Sequence, residues 1–541
     1  MNHGHFDVII IGGGINGTGV ARDCALRGLK PLLLERYDLS VGATWASSGM
    51  IHGGLRYLLY DVKTTKNSCI DSGYIQQIAP FCLFRLPFLY PVIPGETLNV
   101  ELLEAFFETY DRYAPLKNGK KHCRLTKAEV LELEPGITDR VQGAITFDEW
   151  GIDATRLCIL NAKDAEHHGG VTKLYHEVVG LERDGKKITG VVAKNVRTQM
   201  RESFFAPVVL NLAGAWIPRI AEMAGVEVKL RPGKGIHLVL DRQLSSIGLI
   251  MAAVDKRSLF VLPYGNYSLI GTTDTDFYGD PGKLDILRDE VDYLLESAIN
   301  IFPSCRHARV MRSFAGIRPT AYEWGTPADQ LSRAHHILDH EIHDGVPGFI
   351  TMLGGKLATY RMMSEELTDL VMKKLGAPGN CQTHSRRLPG GEKALNAKEF
   401  SQKHGLTHLT AQRLIQRHGT VSEKIMECEG AKNISCLCEP VTEAEARYVI
   451  KHEWCETLGD LARRTKFGLG PCAGAHCLHR GMSLLMSEKN RPSKEIFADA
   501  KSFIQEQWNW RHPLLEGPQI VQEEFNAALW NNSGNIGRAC K

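Results

Sequence analysis

DVIIIGGGINGTGVARDCALRGLKPLLLE, residues 7–35, is the stretch that decides the fold of this chain. It reads as an apolar strand, a turn with the spacing Gly12-x-Gly14-x-x-Gly17, a helix and a second apolar strand. The glycines allow a tight turn and a close approach of the backbone, so a pyrophosphate can lie at the helix N-terminus. Glu35 ends the second strand, 18 residues after Gly17, where a carboxylate can accept hydrogen bonds from an adenosine ribose. The stretch predicts a dinucleotide site; the alternative is a glycine-rich turn of a parallel sheet without a ligand.

A long irregular loop and two later strands favour FAD over NAD. Residues 40–57 carry small and hydroxyl side chains in an order too irregular for a simple βαβ repeat, and such a loop can line a pyrophosphate and a flavin ring. The apolar stretches 208–216 and 348–356 both end where a cofactor can lie against the backbone. One cofactor site is therefore assembled from distant segments. Besides the four residues named above, its predicted members are Thr44, Ser48, Gly214, Gly355, Lys356 and Leu357.

Composition excludes several other classes of protein. The chain of 541 residues is too long for one ordinary core and predicts about two to four domains. Lys and Arg total 64 against 62 Asp and Glu, so the net charge of +2 gives no reason to expect a nucleic acid. No signal peptide and no apolar run of about 18 residues is seen. The 14 cysteines form no regular framework, which favours a reducing, cytoplasmic environment.

A second candidate site consists of four cysteines near the C-terminus, Cys436, Cys438, Cys472 and Cys477. Four thiolates can hold either a [2Fe-2S] cluster or Zn, and the C-x-C beginning disfavours the usual zinc knuckle. Such a cluster could accept electrons from a flavin, because reduced flavin passes its two electrons one at a time to a one-electron chain. We expect [2Fe-2S], with Zn or no metal as alternatives. The nearby Cys428 and Cys455 are expected to be plain thiols.

Five short strings in the first 380 residues resemble the FAD-dependent glycerol-3-phosphate dehydrogenases. In chain order they are His52-Gly53-Gly54-Leu55-Arg56-Tyr57, Lys234-Gly235-Ile236-His237, Gly271-Thr272-Thr273-Asp274, Gly316-Ile317-Arg318-Pro319 and Gly354-Gly355-Lys356-Leu357-Ala358-Thr359-Tyr360-Arg361. The resemblance implies a fold that is α/β plus α+β. A glutathione-reductase-type, Rossmann-like FAD domain would be interleaved with an antiparallel-sheet substrate domain and followed by small helical C-terminal modules.

The resemblance also implies the substrate, sn-glycerol 3-phosphate. Oxidation of its secondary alcohol requires hydride transfer to the flavin and removal of the hydroxyl proton, while its phosphate supplies binding energy that fixes the geometry. Arginine suits forked recognition of a phosphate. The substrate-binding residues that we expect are Arg56, Tyr57, Thr272, Arg333 and Lys356.

The proton acceptor stays open among the expected catalytic residues. His237, in a strand-like segment, and His52, in the loop of residues 40–57 (the flavin loop), can both accept a proton near neutral pH. Arg318 can instead stabilise the developing alkoxide, with water or a neighbour taking the proton. The predicted catalytic residues are therefore Arg318, His237 and His52.

The chain is expected to divide into an oxidoreductase body and three smaller parts. The body spans residues 1–380, a helical extension 381–432, the cysteine module 433–485 and a helical tail 486–541. The cysteine module resembles the bacterioferritin-associated-ferredoxin-like domain, which ligates [2Fe-2S]. Aromatic side chains of the tail are expected to pack on the rest of the chain.

Body and module together resemble the family of large subunits of anaerobic glycerol-3-phosphate dehydrogenases. The resemblance implies two partner subunits, a second flavoprotein and a membrane-associated iron-sulfur protein, which pass electrons to quinone at the inner face of the cell membrane. Two other functions stay open. One is an FAD oxidase that reduces oxygen, and the other is a non-catalytic redox-sensing protein.

Overall fold

The structure, a computed structural model, describes residues 4–58, 61–95, 97–325 and 334–534. Numbered in chain order, its strands are β1 Val8–Ile11, β2 Pro31–Leu34, β3 Leu83–Val92, β4 Cys123–Thr126, β5 Gly143–Ile152, β6 Val171–Lys173, β7 His176–Asp184, β8 Lys187–Asn195, β9 Arg201–Phe205, β10 Val208–Asn211, β11 Leu230–Leu240, β12 Gly248–Ala252, β13 Ser258–Tyr264, β14 Tyr267–Gly271, β15 Thr275–Asp276, β16 Val310–Ala321, β17 His335–Asp339, β18 Phe349–Gly354, β19 Ile434–Cys436 and β20 Val441–Thr442.

The α-helices are numbered in the same way. They are α1 Ile15–Leu26, α2 Val62–Ile78, α3 Val100–Tyr110, α4 Lys127–Leu133, α5 Ala154–His167, α6 Ile217–Ala224, α7 Arg288–Ile301, α8 His340–His343, α9 Tyr360–Leu375, α10 Ala397–His404, α11 His408–His418, α12 Val421–Met426, α13 Glu443–His452, α14 Leu458–Thr465, α15 Leu478–Lys489, α16 Ser493–Arg511 and α17 Pro518–Gly534.

A mostly parallel sheet forms the centre of the cofactor half. Its strand order is β17-β18-β10-β1-β2-β6, and within the described residues only β17 runs antiparallel to its neighbour. Helices α1, α5 and α9 cover one face, and α6 with β7–β9 covers the other. This double cover explains why β1, β2 and β10 are continuous apolar runs. The carboxyl ends of β1, β10 and β18 meet at one edge, which brings the predicted cofactor segments together.

The second large sheet is mainly antiparallel. Its order is β15-β11-β14-β13-β12-β3-β5-β4, with β16 also paired to β11, and only the pair of β12 with β3 is parallel among the described strands. Strands β11 and β16 pair along almost their whole length, from Leu230 opposite Ala321 to Leu240 opposite Val310. The segments of this sheet alternate along the chain with those of the parallel sheet. The predicted fold class, two interleaved domains followed by helical modules, is confirmed.

Beyond α9 the described chain is helical except for the short β19–β20 pair. Two apolar cores hold these helices, one around α10–α12 and one around α13–α16. Thr407 begins α11, because its hydroxyl accepts a hydrogen bond from the Thr410 N–H at 3.1 Å. Thr407 is therefore the N-cap residue of α11. Within the described ranges, no helix combines the length and the apolar character needed to cross a bilayer.

Buried ion pairs attach the C-terminal helices to the cofactor domain. Arg464 on α14 donates to both carboxylate oxygens of Asp38 at 2.7 Å, and Arg463 donates to the same carboxylate at 2.7 Å. Arg156 on α5 pairs with Glu453, which follows α13, at 2.6 Å. The side chains of Arg464, Asp38, Arg156 and Glu453 are almost completely buried. Loss of one partner would leave an uncompensated charge in the interior.

We expect Asp38→Asn to lower the free energy of unfolding by about 3 kcal/mol at neutral pH, because Arg464 would remain buried without its counter-charge. Burial alone would raise the pKa of the Asp38 carboxyl, but the charges of Arg464 and Arg463 outweigh burial and hold it at about 2. The unfolded value is about 3.9. The pair therefore stabilises the fold above roughly pH 4, and this contribution is lost as the pH falls toward 2.

Urea denaturation of wild type and variant at pH values on either side of that window measures both effects. Asp184→Asn, at an exposed turn, is the matched control. Equal stability of Asp38→Asn and wild type at neutral pH would contradict the assigned contribution of this pair.

Candidate active site

The three glycines of the spacing Gly12-x-Gly14-x-x-Gly17 form the turn between β1 and α1. They differ in the space that a side chain would have at each position. A Cβ atom at Gly17 would lie 1.9 Å from the Gly12 carbonyl oxygen, so only glycine lets α1 pack on the turn. Gly12 has a φ of +117°, and a Cβ there would lie 2.5 Å from the Leu212 carbonyl oxygen. At Gly14 the nearest contact of a Cβ would be Thr44 Oγ1 at 3.4 Å. The fold itself requires Gly12 and Gly17, whereas Gly14 leaves room for something that approaches the turn.

The N-terminus of α1 faces a cavity. The Ile15 N–H donates to Thr44 Oγ1 at 3.1 Å, and Gly14 provides no side-chain cap. The partial positive charge at such a helix end suits a phosphate group. The predicted Thr44 thus lies where the flavin loop meets the helix N-terminus.

The carboxylate of Glu35 is held in place by backbone donors. The Gly13 N–H donates to its Oε2 at 2.7 Å and the Tyr37 N–H to its Oε1 at 2.9 Å. Burial raises the pKa of this carboxyl, which these two hydrogen bonds oppose. Glu35 lies in the cavity wall, so its remaining acceptor capacity is available to ribose hydroxyls.

The cavity has a volume of about 1280 Å³ and fits a dinucleotide. Trp216 lies in its wall, while the indole Nε1 of this residue is buried and has no hydrogen-bond partner among the described residues. Gly17 and Ser48 are not in the wall. Eight other residues predicted to bind the cofactor line it: Gly12, Gly14, Glu35, Thr44, Gly214, Gly355, Lys356 and Leu357.

Arg318 and Lys356 are two of the cations in the cavity wall. Arg318 on β16 donates to Thr272 Oγ1 at 2.9 Å and to the Thr273 carbonyl at 3.1 Å, and it lies 3.5 Å from the Asp274 carboxylate. The structure thus brings the predicted Arg318 and Thr272 together.

Lys356 also contacts two residues that do not line the cavity. Its Nζ lies 3.7 Å from the centre of the Tyr57 ring and 3.3 Å from Ser68 Oγ. The predicted Lys356 and Tyr57 are therefore neighbours, although about 300 residues separate them in the chain.

The two candidate histidines have different surroundings. His237 Nε2 lies 2.8 Å from Ser48 Oγ, and its ring stacks on Phe314 with centroids 5.0 Å apart. Burial, and after it the charge of Arg318, lowers the pKa of His237 to about 3. His52 Nδ1 accepts a hydrogen bond from the Gly54 N–H at 3.0 Å. Ser48 therefore contacts a histidine rather than the cavity, where its neighbour Ser47 is found.

Two predicted substrate-binding arginines cannot be placed. Arg333 and the side chain of Arg56 lie outside the described residues. Both stay predictions.

Sequence reasoning missed a buried polar network beneath the flavin loop. Glu149 on β5 accepts hydrogen bonds from the Gly53 N–H at 3.0 Å and the Tyr110 hydroxyl at 2.6 Å, and it pairs with Lys117 at 2.8 Å. The network fixes the backbone next to His52. The one signal in the sequence was an acidic pair, residues 148–149, inside an otherwise apolar strand.

The four cysteines come together as two pairs. Cys438 Sγ lies 3.6 Å from Cys472 Sγ, and Cys436 Sγ accepts a hydrogen bond from Cys477, which lowers the pKa of Cys436. The hydrogen bond from Cys438 lowers the pKa of Cys472 to about 5. Gly470 permits this approach, because a Cβ there would lie 2.2 Å from the Cβ of Cys438.

Backbone donors surround these sulfurs. N–H groups of Gly468 and Glu439 point at Cys436, and those of Gly474 and His476 point at Cys472. In the described part of the chain, no three or more His, Cys, Asp or Glu side chains converge as a single metal ion requires. The four predicted cysteines therefore form two adjacent thiol pairs and not one four-ligand centre.

Comparison with known proteins agrees with the fold and the cavity. Residues 7–361 match the family described as FAD dependent oxidoreductase, and residues 381–495 match the family described as the C-terminal domain of alpha-glycerophosphate oxidase. The X-ray structure of the glycerol-3-phosphate dehydrogenase from Bacillus halodurans, complexed with FAD, shares the fold with a TM-score of 0.76 and 24% identity, over 96% of this chain and 97% of that one. The fold and the cavity thus define an FAD-dependent oxidoreductase.

Two relatives show which family of FAD-dependent oxidoreductases the chain belongs to. The A subunit of the anaerobic glycerol-3-phosphate dehydrogenase of Haemophilus influenzae is 33% identical over 528 residues, which cover 97% of this chain and 92% of the relative. Its counterpart in Escherichia coli K12 is 32% identical over 534 residues, 98% and 97% of the two chains. The chain belongs to the family of FAD-dependent glycerol-3-phosphate dehydrogenases. The predictions of an oxidoreductase and of FAD as its cofactor are confirmed.

Proposed function

We propose that this chain oxidises sn-glycerol 3-phosphate to dihydroxyacetone phosphate, with FAD as the hydride acceptor. The observation that carries this proposal is the presence of Arg318 and Lys356 in the cavity wall. An anionic phosphate ester suits these two cations, because lysine can hold the phosphate as a point charge while arginine hydrogen-bonds another oxygen of the same substrate. The names of the relatives support the same substrate.

FAD and the residues near the cavity can each perform a different role in this reaction. Bound FAD supplies the two-electron acceptor. The low pKa of His237 makes its imidazole a weak base, so we assign it to holding the flavin loop through Ser48. We propose water as the proton acceptor, because the Nδ1 lone pair of His52 already accepts a hydrogen bond from the Gly54 N–H and its Nε2 then carries the ring hydrogen. Arg318 stabilises the negative charge that develops on the substrate oxygen.

Arg318→Ala is expected to leave FAD bound and to lower kcat/KM for glycerol 3-phosphate roughly ten- to hundredfold. The reason is the loss of a charge-assisted contact worth about 1.5–3 kcal/mol. Steady-state kinetics with an artificial dye, together with the flavin absorbance of the purified variant, measure the two effects. Arg242→Ala is the control, because its exposed guanidinium pairs with Asp241 outside the cavity. A near-normal kcat/KM in Arg318→Ala would rule out the assignment and with it the main support for the substrate.

We propose that residues 433–485 form a module whose four cysteines hold a [2Fe-2S] cluster. Tetrahedral sulfur ligands about 2.3 Å from a metal lie roughly 3.75 Å from each other, and the Cys438–Cys472 separation of 3.6 Å matches this spacing. Two thiol pairs suit two metal ions, each held by one pair. The surrounding N–H groups suit thiolates and bridging sulfides, because hydrogen bonds to the sulfurs tune such clusters.

The electron route that we propose runs from the flavin through this cluster to a quinone. Partner subunits would complete the route, a second flavoprotein and a membrane-associated iron-sulfur protein that holds the complex at the membrane; the relatives are named as one subunit of an enzyme, which supports such an assembly. A second candidate is direct reduction of oxygen, which the oxidase-type match of residues 381–495 favours. Peroxide production in air that equals the anaerobic dye turnover would favour the oxidase.

A further inference from the structure

Helix α16 presents two different faces to the rest of the chain. One face is apolar and packs into the core of the cysteine-bearing helices, through Ile496, Ala500, Phe503 and Ile504. The other face is polar and lines the dinucleotide cavity, through Lys501, Ser502, Gln505, Glu506 and Asn509. The spacing of three and four residues puts each set on one side of the helix.

Contacts at two points hold the helix against the cavity wall. Asp499 lies 3.6 Å from Arg197, whose guanidinium stacks over Tyr175, the sequence neighbour of the wall residue His176. At the end of the helix, the Trp510 carbonyl accepts a hydrogen bond from Ser313, which precedes the wall segment 315–320 on β16. The His176 N–H donates to the Glu35 carbonyl at 2.8 Å, and β16 carries Arg318. Residues 501–510 extend over about 15 Å of helix.

Helix α16 comes from a different part of the chain than the other residues of the cavity wall. Among the described wall residues, all those beyond Leu357 lie in α16. These residues also lie outside both matched family segments, 7–361 and 381–495. The polar groups that α16 offers are the Lys501 ammonium, the Gln505 and Asn509 amides, the Ser502 hydroxyl and the Glu506 carboxyl group. The first four can donate hydrogen bonds to the phosphates of a dinucleotide, and the carboxyl group can accept them from its hydroxyls.

We propose that α16 is the closing wall of the FAD site, and that its polar face contacts the bound cofactor and retains it. Lys501 supplies a positive charge in the cavity wall. Gln505, whose Nε2 donates to Asn509 Oδ1 at 2.9 Å, supplies an ordered amide. The tail that carries α16 is thereby a cofactor-binding element as well as a packing element.

The test measures FAD binding by the full-length apoprotein, from flavin fluorescence quenching and from the rate of FAD release. Lys501→Ala and Gln505→Ala are each expected to raise the Kd for FAD roughly three- to tenfold, the value of one or two hydrogen bonds. Gln522→Ala is the matched control, because exposed Gln522 on α17 donates to Asn526 in the same spacing but does not line this cavity. Its Kd should equal that of wild type.

A bulky substitution on the same face gives an independent result. Gln505→Trp is expected to raise the Kd more than tenfold, because the indole occupies space that the cofactor needs, and Gln522→Trp is its control. Matching thermal unfolding of the apoproteins shows that the variants are folded. A wild-type Kd in both alanine variants, or in Gln505→Trp, overturns the proposal. No substrate is used, so failure of the glycerol 3-phosphate assignment leaves this result unaffected.

Discussion

Gly14→Val is expected to give a folded protein that binds no FAD. A Cβ at this position meets only Thr44 Oγ1, at 3.4 Å, so the turn itself can accept a side chain. The branched side chain then occupies the space through which the pyrophosphate approaches the N-terminus of α1. The flavin-to-protein ratio after purification, followed by titration of the apoprotein with FAD, measures the loss.

Two further substitutions separate binding from folding. Gly17→Val should prevent folding of the cofactor domain, because its Cβ would lie 1.9 Å from the Gly12 carbonyl oxygen. Gly180→Val should keep both fold and FAD, because a Cβ there meets only the Val192 side chain, at 3.7 Å. Circular dichroism of all three variants reports the fold. Stoichiometric FAD in Gly14→Val would mean that the pyrophosphate lies elsewhere.

Cys472→Ser is expected to abolish electron transfer to the natural acceptor while leaving flavin reduction by glycerol 3-phosphate intact. Hydride transfer takes place in the body of the protein, whereas the one-electron relay would lack a thiolate ligand. An artificial acceptor that reaches the flavin directly should bypass the defect. Stopped-flow reduction and reoxidation, iron analysis and an EPR spectrum of the dithionite-reduced protein measure these steps.

Cys428→Ser is the matched control, because Cys428 is exposed and lies outside the two thiol pairs. Zinc without iron in anaerobically prepared wild type would contradict the cluster. Wild-type turnover with the natural acceptor after loss of the cluster would contradict the relay.

The parallel sheet could be predicted from sequence because its central strands are buried on both faces. Such strands appear as continuous apolar runs, and β1, β2, β10 and β18 all carry this signal. The antiparallel sheet gave no comparable signal and was expected only from the resemblance to a family. The register of β11 against β16 depends on how two distant segments pack, and no local pattern encodes it.

For the same reason, only some of the active-site residues could be predicted from the sequence. Residues in glycine-rich strings, such as Gly355 and Arg318, could be selected because the strings are distinctive. Glu149 and helix α16 could not, since each meets the site through contacts with residues far away in the chain. Ser48 was selected with its loop, but its hydroxyl contacts His237 instead of the cavity.

The sequence by itself determined the features that depend on local sterics. The need for glycine at Gly17 and the position of Glu35 at the end of β2 both follow from the geometry of one strand, one turn and one helix. Only the tertiary structure decided which distant groups meet. It pairs Cys438 with Cys472 rather than with its neighbour Cys436, and it places α16 along the cavity. These choices depend on the burial of apolar faces and charges between elements that are distant in the chain, and that packing is a property of the whole fold.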